Sequence, residues 1–209
     1  DLLNSLEAKR ALPLQYAILE VSGELRARQA QTLQQEVPHL VARVQWLDRL
    51  PEQFSGVVIG NEVLDAMPVH LLVQRGDELF ERGVGLDASN HFMWLDRAAQ
   101  GRLKQQGEAL QLPRLETAYY TELHLAAQSW LATWASVLKK GVMILVDYGY
   151  SRAQYYLPTR SRGTLQCYYR HQVHDYPFKW PGLTDITSFL DFTALAQASF
   201  EGGLEVLGY

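Results

Sequence analysis

The sequence predicts an α/β protein built on a mainly parallel, doubly wound sheet that carries an antiparallel insertion. Three observations lead there. Short apolar, β-branched runs at Val57–Ile59 and Val142–Val146 read as strands buried on both faces. Before Gly60, strand candidates alternate with helical patterns, as crossover connections require. From residue 69 to 95 the pattern changes to alternating runs divided by turn residues, which reads as hairpins.

Taken in order, Asp1–Leu12 reads as a helix ended near Pro13, and Gln15–Val21 as a strand with Glu20 at its end. Ser22 suits the N-cap of a helix running to about Glu36, with Glu24 in its first turn. Val44–Leu47 is the next strand, followed by Asp48, and Val57–Ile59 comes after it. Arg75-Gly76-Asp77 and Asp87–Asn90 are the turns of the insertion. Ala98–Leu110 suits a charged surface helix. Pro113 is expected to open a long helix to about Lys139, because Tyr119, Leu123, Ala126, Trp130, Trp134 and Leu138 recur at helical steps. Lys139, Lys140 and Gly141 resemble its C-terminal signal. Residues 142–147 form the second central strand and end on Asp147. The stretch to Asp191 is irregular and aromatic-rich; Phe189–Ser199 reads as a helix, and 204–209 as a last strand. The sheet is thus expected from 15–21, 44–47, 57–61, 142–147 and 204–209.

The 209 residues are 47% hydrophobic and 20% charged with a net charge of −4, which gives no support to a general nucleic-acid or membrane-surface role. The longest apolar run is far too short to span a bilayer. One cysteine, Cys167, allows neither an internal disulfide nor a multi-cysteine metal site, and suits a reducing compartment. The chain opens at Asp1 without methionine, already in an apolar-periodic pattern, and stops on a strand-like run. It is expected to be a piece of a longer protein, truncated at both ends.

The stretch around which the rest is arranged is GVVIGNEVLDAMP, residues 56–68. Its hydrophobicity stops at Gly60, and Asn61, Glu62 and Asp65 follow where open α/β sheets bind ligands. Glu62 and Asp65 would share a face if the segment turned helical. The same residues also suit a plain strand exit whose Asn and acids cap the next helix. Glu20, Asp48 and Asp147 stand at three further strand ends. Together the acids imply a negative crevice along one sheet edge, better suited to a positively charged cofactor than to a phosphate-rich one. No Gly-x-Gly-x-x-Gly loop or Gly-x-Ser-x-Gly elbow is present, so dehydrogenase and serine-hydrolase readings gain nothing. His171 and His174 with Asp175 have a spacing open to metal, but no further ligand set accompanies them, and no metal is assigned.

GNEVLDAMPV, the run from YTELHLAAQSWL through GVMILVDYGY, and GTLQCYYRHQVHDYPFKWPGLTDITSFLDF resemble the MidA/NDUFAF7 family of S-adenosylmethionine-dependent methyltransferases. The resemblance covers nearly the whole chain. It implies a class I, Rossmann-like methyltransferase fold. Residues 1–68 and 136–209 would form its core, with the first strand and its glycine-rich loop missing before Asp1, and 69–135 would be an insertion of antiparallel strands plus a long helix. It further implies S-adenosylmethionine as cofactor, a protein arginine as methyl acceptor, and a link to respiratory complex I assembly. Placement would be cytoplasmic in bacteria or in the mitochondrial matrix in eukaryotes, with a homodimer as one arrangement. Residue by residue, Glu20 matches the acid that holds the cofactor ribose, and Asp48 lies near the position that approaches the adenine. Asn61, Glu62 and Asp65 match the motif beside the methyl-transfer point, Asn61 touching cofactor as well. Glu62 would clamp the guanidinium while Asn61 and Asp65 orient it. The alternative is a non-catalytic assembly factor that docks through the aromatic loop 151–191.

Overall fold

The computed structural model describes residues 2–170 and 172–208. The chain divides into two compact units, Asp1–Phe54 and Ser55–Tyr209.

In the first unit, α1 (Leu2–Ala8) precedes β1 (Tyr16–Leu19), α2 (Gly23–Glu36), a 3-10 turn (Pro38–Arg43) and β2 (Val44–Leu47). Ser22 caps α2 as expected, its hydroxyl accepting the Leu25 N–H. β1 and β2 pair in parallel, Tyr16 opposite Val44 and Leu19 opposite Leu47. Leu3, Val37 and Leu40 form the small core of this unit.

The second unit opens with β3 (Phe54–Asn61), which starts at the boundary. β4 (His70–Arg75), β5 (Glu78–Leu86) and β6 (Phe92–Ala98) follow, then α3 (Gly101–Ala109), β7 (Tyr119–Leu123), α4 (Leu125–Val137) and β8 (Leu138–Val146). The order β6-β5-β4-β7 makes a four-stranded antiparallel sheet. Gly76, at φ 55°, supplies the left-handed corner of the two-residue β4–β5 turn. At the next turn the Asp87 carboxylate accepts the Ser89 and His91 N–H groups at 2.8 and 2.9 Å. β8 pairs with β3. Gly56 lies against Gly141, Gly60 against Leu145, and the Glu62 N–H donates to Val146 O at 2.8 Å, so the two strands run in the same direction.

Beyond β8 come β9 (Gly149–Tyr150), α5 (Arg152–Tyr155), β10 (Gln166–Tyr169), β11 (Gln172–His174), β12 (Asp185–Thr187), β13 (Leu190–Asp191) and α6 (Phe192–Glu201). β9 and β13 pair in parallel, and β11-β10-β12 form a small antiparallel sheet. α4 packs on α6 over Leu64, Ala127, Leu131, Leu190 and Leu195. A second core lies under the four-stranded sheet, around Leu72, Tyr119, Leu123 and Tyr155.

Four expectations need correction. The long helix from Pro113 does not form at its start. Tyr119–Leu123 is a strand bonded to β4, because its aromatic and β-branched residues alternate across a pleat that buries Tyr119, Thr121 and Leu123. At the other end, Leu138–Lys140 belongs to β8, and Gly141 is a close strand contact rather than a helix cap. Residues 204–208 form no strand, and the remaining residue of that expected element, Tyr209, lies outside the described residues. The two central strands are not covered on both faces: Val57 and Ile59 are 57% and 59% exposed, and Ile144 and Val146 are 48% and 57% exposed.

Candidate functional site

In the first unit, Glu20 and Asp48 follow β1 and β2, and Arg26 ties the two strand ends together. Its guanidinium donates to Glu20 O at 2.7 Å and Leu47 O at 2.5 Å and pairs with the Asp48 carboxylate at 2.8 Å. The Glu20 carboxylate accepts the Ser22 N–H at 2.9 Å on one oxygen and the Gln29 side-chain amide at 3.2 Å on the other. It is thereby oriented at the entry to α2. Each oxygen keeps a lone pair, so the group can still accept from ribose hydroxyls. Asp48, its side chain 88% exposed, belongs to a cleft of about 470 Å³ lined by residues 45–52.

In the second unit, Asn61, Glu62 and Asp65 do share one strand end, but not on a helix. Residues 62–67 form a turn. Asp147 explains why: its carboxylate accepts the Leu64 and Asp65 N–H groups at 2.9 and 3.3 Å, and its other oxygen takes the Tyr148 N–H at 2.8 Å. Those amides are therefore held by a neighbouring strand instead of opening a helix. Leu64, 3% exposed, plugs the turn into the α4–α6 core, and the Ser188 N–H donates to Asp65 O at 3.1 Å. Asp147, expected as one wall of a negative crevice, thus holds the loop's backbone.

Glu62 stands at φ 50°, the left-handed region that non-glycine residues rarely occupy. Its carboxylate accepts the Tyr148 hydroxyl at 2.9 Å. That bond to the carboxylate raises the pKa of the Tyr148 hydroxyl, which stays a donor. Asp65 is buried, and one of its oxygens has no partner among the described residues. Burial first, then the charge of Asp147, raises its pKa; Glu62 and Asp185 add to the effect. A strained backbone beside a buried carboxylate oxygen without a partner among the described residues makes this turn the candidate site.

Beneath this turn lies a buried polar layer that sequence reasoning missed. His124 bonds the Ser188 hydroxyl at 3.2 Å, and burial drives its pKa down to about 4. The Glu122 carboxylate, fully buried, accepts from the Thr164 N–H and hydroxyl, the Leu165 N–H and the Tyr155 hydroxyl. Tyr148 was also missed. Its only sequence signal is its place directly after Asp147, on the strand that turns out to neighbour β3. His174 and Asp175 gather no cluster of three metal-ligating groups among the described residues, and His171 lies outside them. No helix among them is long and apolar enough to cross a membrane.

Parallel strands ending in acids, with Asn61, Glu62 and Asp65 on the turn after β3, define an α/β protein whose ligand edge is the carboxyl end of its strands, and comparison with known proteins gives the class. A family model described as "putative S-adenosyl-L-methionine-dependent methyltransferase" matches residues 1–209, and the chain belongs to that family. A crystal structure from Burkholderia thailandensis, described as a "likely methyl transferase" bound to S-adenosyl-homocysteine, superposes with a TM-score of 0.92 at 43% identity. The match covers 99% of this chain and 53% of that one. A native crystal structure from the same organism gives a TM-score of 0.93, again at 43% identity, covering 99% of this chain and 55% of that one. The Caenorhabditis elegans "protein arginine methyltransferase NDUFAF7 homolog, mitochondrial" is 27% identical over 165 residues, 72% of this chain and 34% of that protein. The fold is the class I methyltransferase fold of these solved neighbours. The chain spans about half their length and about a third of the curated relative's.

Proposed function

We propose that this chain is the substrate-facing part of an S-adenosylmethionine-dependent methyltransferase that modifies a protein arginine. The observation that carries the reading is Glu62, a carboxylate on a strained backbone, aimed by a tyrosine hydroxyl and set on a turn locked by Asp147. The sulfonium methyl donor, when bound, brings its own reactive methyl group. The protein therefore needs chiefly to hold the acceptor in line. Glu62 holds the guanidinium by a charge-assisted hydrogen bond, with Asn61 beside it and Asp65 supplying a second negative group behind. Glu20 holds ribose hydroxyls, and Asp48 stands near the adenine.

The arginine acceptor is supported by the name of the C. elegans relative, a protein arginine methyltransferase homologue, and by the acidic character of the turn. The link to respiratory complex I assembly, a matrix location in eukaryotes or the cytoplasm in bacteria, and a homodimer belong to the same proposal and rest on the family resemblance. A docking role without catalysis has one observation in its favour. Phe178 of the aromatic segment packs at a tilt against Trp94 and Phe92, with ring centroids 4.7 and 5.9 Å away, and Tyr176 and Phe92 are about half exposed.

The deciding experiment uses the complete protein, labelled S-adenosylmethionine and a lysate from cells that lack it. Methylarginine formed by the wild type and lost in Glu62→Gln supports catalysis; no labelled protein at all supports docking. Glu20→Ala should weaken S-adenosylmethionine binding about tenfold or more by calorimetry, since a hydrogen bond to a charged group contributes roughly 1.5–3 kcal/mol. Unchanged affinity would remove Glu20 from the site.

A further inference from the structure

Tyr148 is fixed from three sides. Its N–H donates to the Asp147 carboxylate at 2.8 Å, its carbonyl accepts the Leu190 N–H at 2.9 Å, and its ring stacks on Phe189 with centroids 6.3 Å apart. The ring is half exposed, and its hydroxyl donates to Glu62 Oε1 at 2.9 Å. Glu62 is in the opposite condition. It is exposed, and beyond its N–H bond to Val146 O, its side chain meets no other donor among the described residues. A free glutamate in that position would sample several rotamers. The charged groups facing Tyr148 besides Glu62 are Asp65 on the same turn and Asp147 just after β8, both acids, and Asp185 of β12 acts in turn on Asp65. Asp65 and Asp147 would repel the Glu62 carboxylate rather than guide it.

We propose that Tyr148 is the positioning residue of this site: its hydroxyl locks one oxygen of Glu62 and leaves Oε2 turned to the substrate cation. The inference rests on the reading of Glu62 given above and extends it to a residue with no chemistry of its own. It also defines the contact. Oε1 shares its lone pairs with the phenol, whereas Oε2 has no donor among the described residues, so it is the oxygen most open to a guanidinium nitrogen. One nitrogen of the guanidinium is gripped there, and its far end stays open to the incoming methyl group.

Two measurements on the complete protein test this. In a crystal structure of Tyr148→Phe, the ring should stay against Phe189 while the Glu62 carboxylate leaves its wild-type rotamer. An unmoved carboxylate overturns the proposal without reference to activity. In turnover, followed as methyl transfer from labelled S-adenosylmethionine into lysate protein, Tyr148→Phe should be about tenfold slower with cofactor affinity unchanged. The double variant with Glu62→Gln should be no slower than Glu62→Gln alone, because a positioning residue has nothing to act through once Glu62 is gone. Independent, multiplying losses would overturn the proposal. The two readings fail differently: Glu62→Gln at wild-type rate removes Glu62 from the chemistry, whereas slow Glu62→Gln with a wild-type Tyr148→Phe removes only Tyr148.

Discussion

Glu62 is a glutamate where the backbone prefers glycine. At φ 50° its Cβ crowds the preceding carbonyl, at a cost of about 1–2 kcal/mol. Glu62→Gly and Glu62→Ala both remove the carboxylate, but only glycine relieves the backbone. The glycine variant should be more stable than the alanine variant by about 1 kcal/mol in urea unfolding, while both lose turnover. Equal stability would mean the strain is not there. His124 allows a second test. Its folded pKa, about 4, lies below the ordinary 6.5 because burial opposes the charged ring. Between those values the unfolded chain binds more protons, so stability is lost as pH falls from about 6.5 to 4, by roughly 3 kcal/mol. Glu122 and Asp65 have raised pKa values and so act with the opposite sign, favouring the fold as pH falls. The His124 part is therefore read from the difference between wild type and His124→Gln, whose stability curve should be flatter across that window. Neither residue announced its role in the sequence. Asn61, Glu62 and Asp65 were visible as polar groups at a strand exit, but a positive φ and a phenol 86 positions away are products of the folded pairing.

Among the elements, the loop from Pro158 to Leu165 is tied to β7 by the Tyr120 N–H bond to Ser161 O at 2.9 Å and, in the interior, by the Glu122 carboxylate. Glu122 takes two backbone N–H groups and two hydroxyls in full burial, and Gly163, at φ 75°, leaves no room for a side chain beside it. Glu122→Ala should cost about 3–5 kcal/mol, because several buried donors lose their acceptor together. Chemical denaturation would measure it, and a loss under 1 kcal/mol would show that water replaces the carboxylate. This element also marks where pattern reading stopped. Short apolar runs located β1, β2, β3 and β8, alternation located the three hairpin strands, and Ser22 marked the start of α2. The aromatic period through 119–138 fitted a helix equally well, and what decided for strand at Tyr119–Leu123 was a partner, β4, nearly fifty residues earlier. Periodicity carries no information about which partner is free.

At the scale of the whole molecule, the β3–β8 pair leaves Val57, Ile59, Ile144 and Val146 about half exposed or more. Contiguous apolar surface of this kind favours association. The 209-residue chain on its own should sediment as a concentration-dependent mixture, and Ile59→Lys with Ile144→Lys should shift it towards monomer. Monomeric wild type at high micromolar concentration would contradict this. The α/β class and the acids at the strand ends were legible because each is a local pattern, whereas the expected single sheet is instead the separate pairs β1–β2 and β3–β8. The exposure of the central strands was not legible, since a buried apolar run and a bare one are written alike.

The contact of Gly56 with Gly141 has a consequence for the far ends of the same two strands. A Cβ on Gly141 would sit 1.8 Å from the Gly56 carbonyl oxygen, so the backbones touch there with no side chain between them. Slide either strand by one step and a bulky neighbour enters the gap. The glycine pair is therefore a stop, like the zero mark of a ruler laid along both strands. Five residues further on, that ruler brings Asn61 level with Val146, with Glu62 and Tyr148 just beyond. Alanine at Gly141 would not touch the acid or the phenol, yet it would move the scale on which their 2.9 Å separation is set.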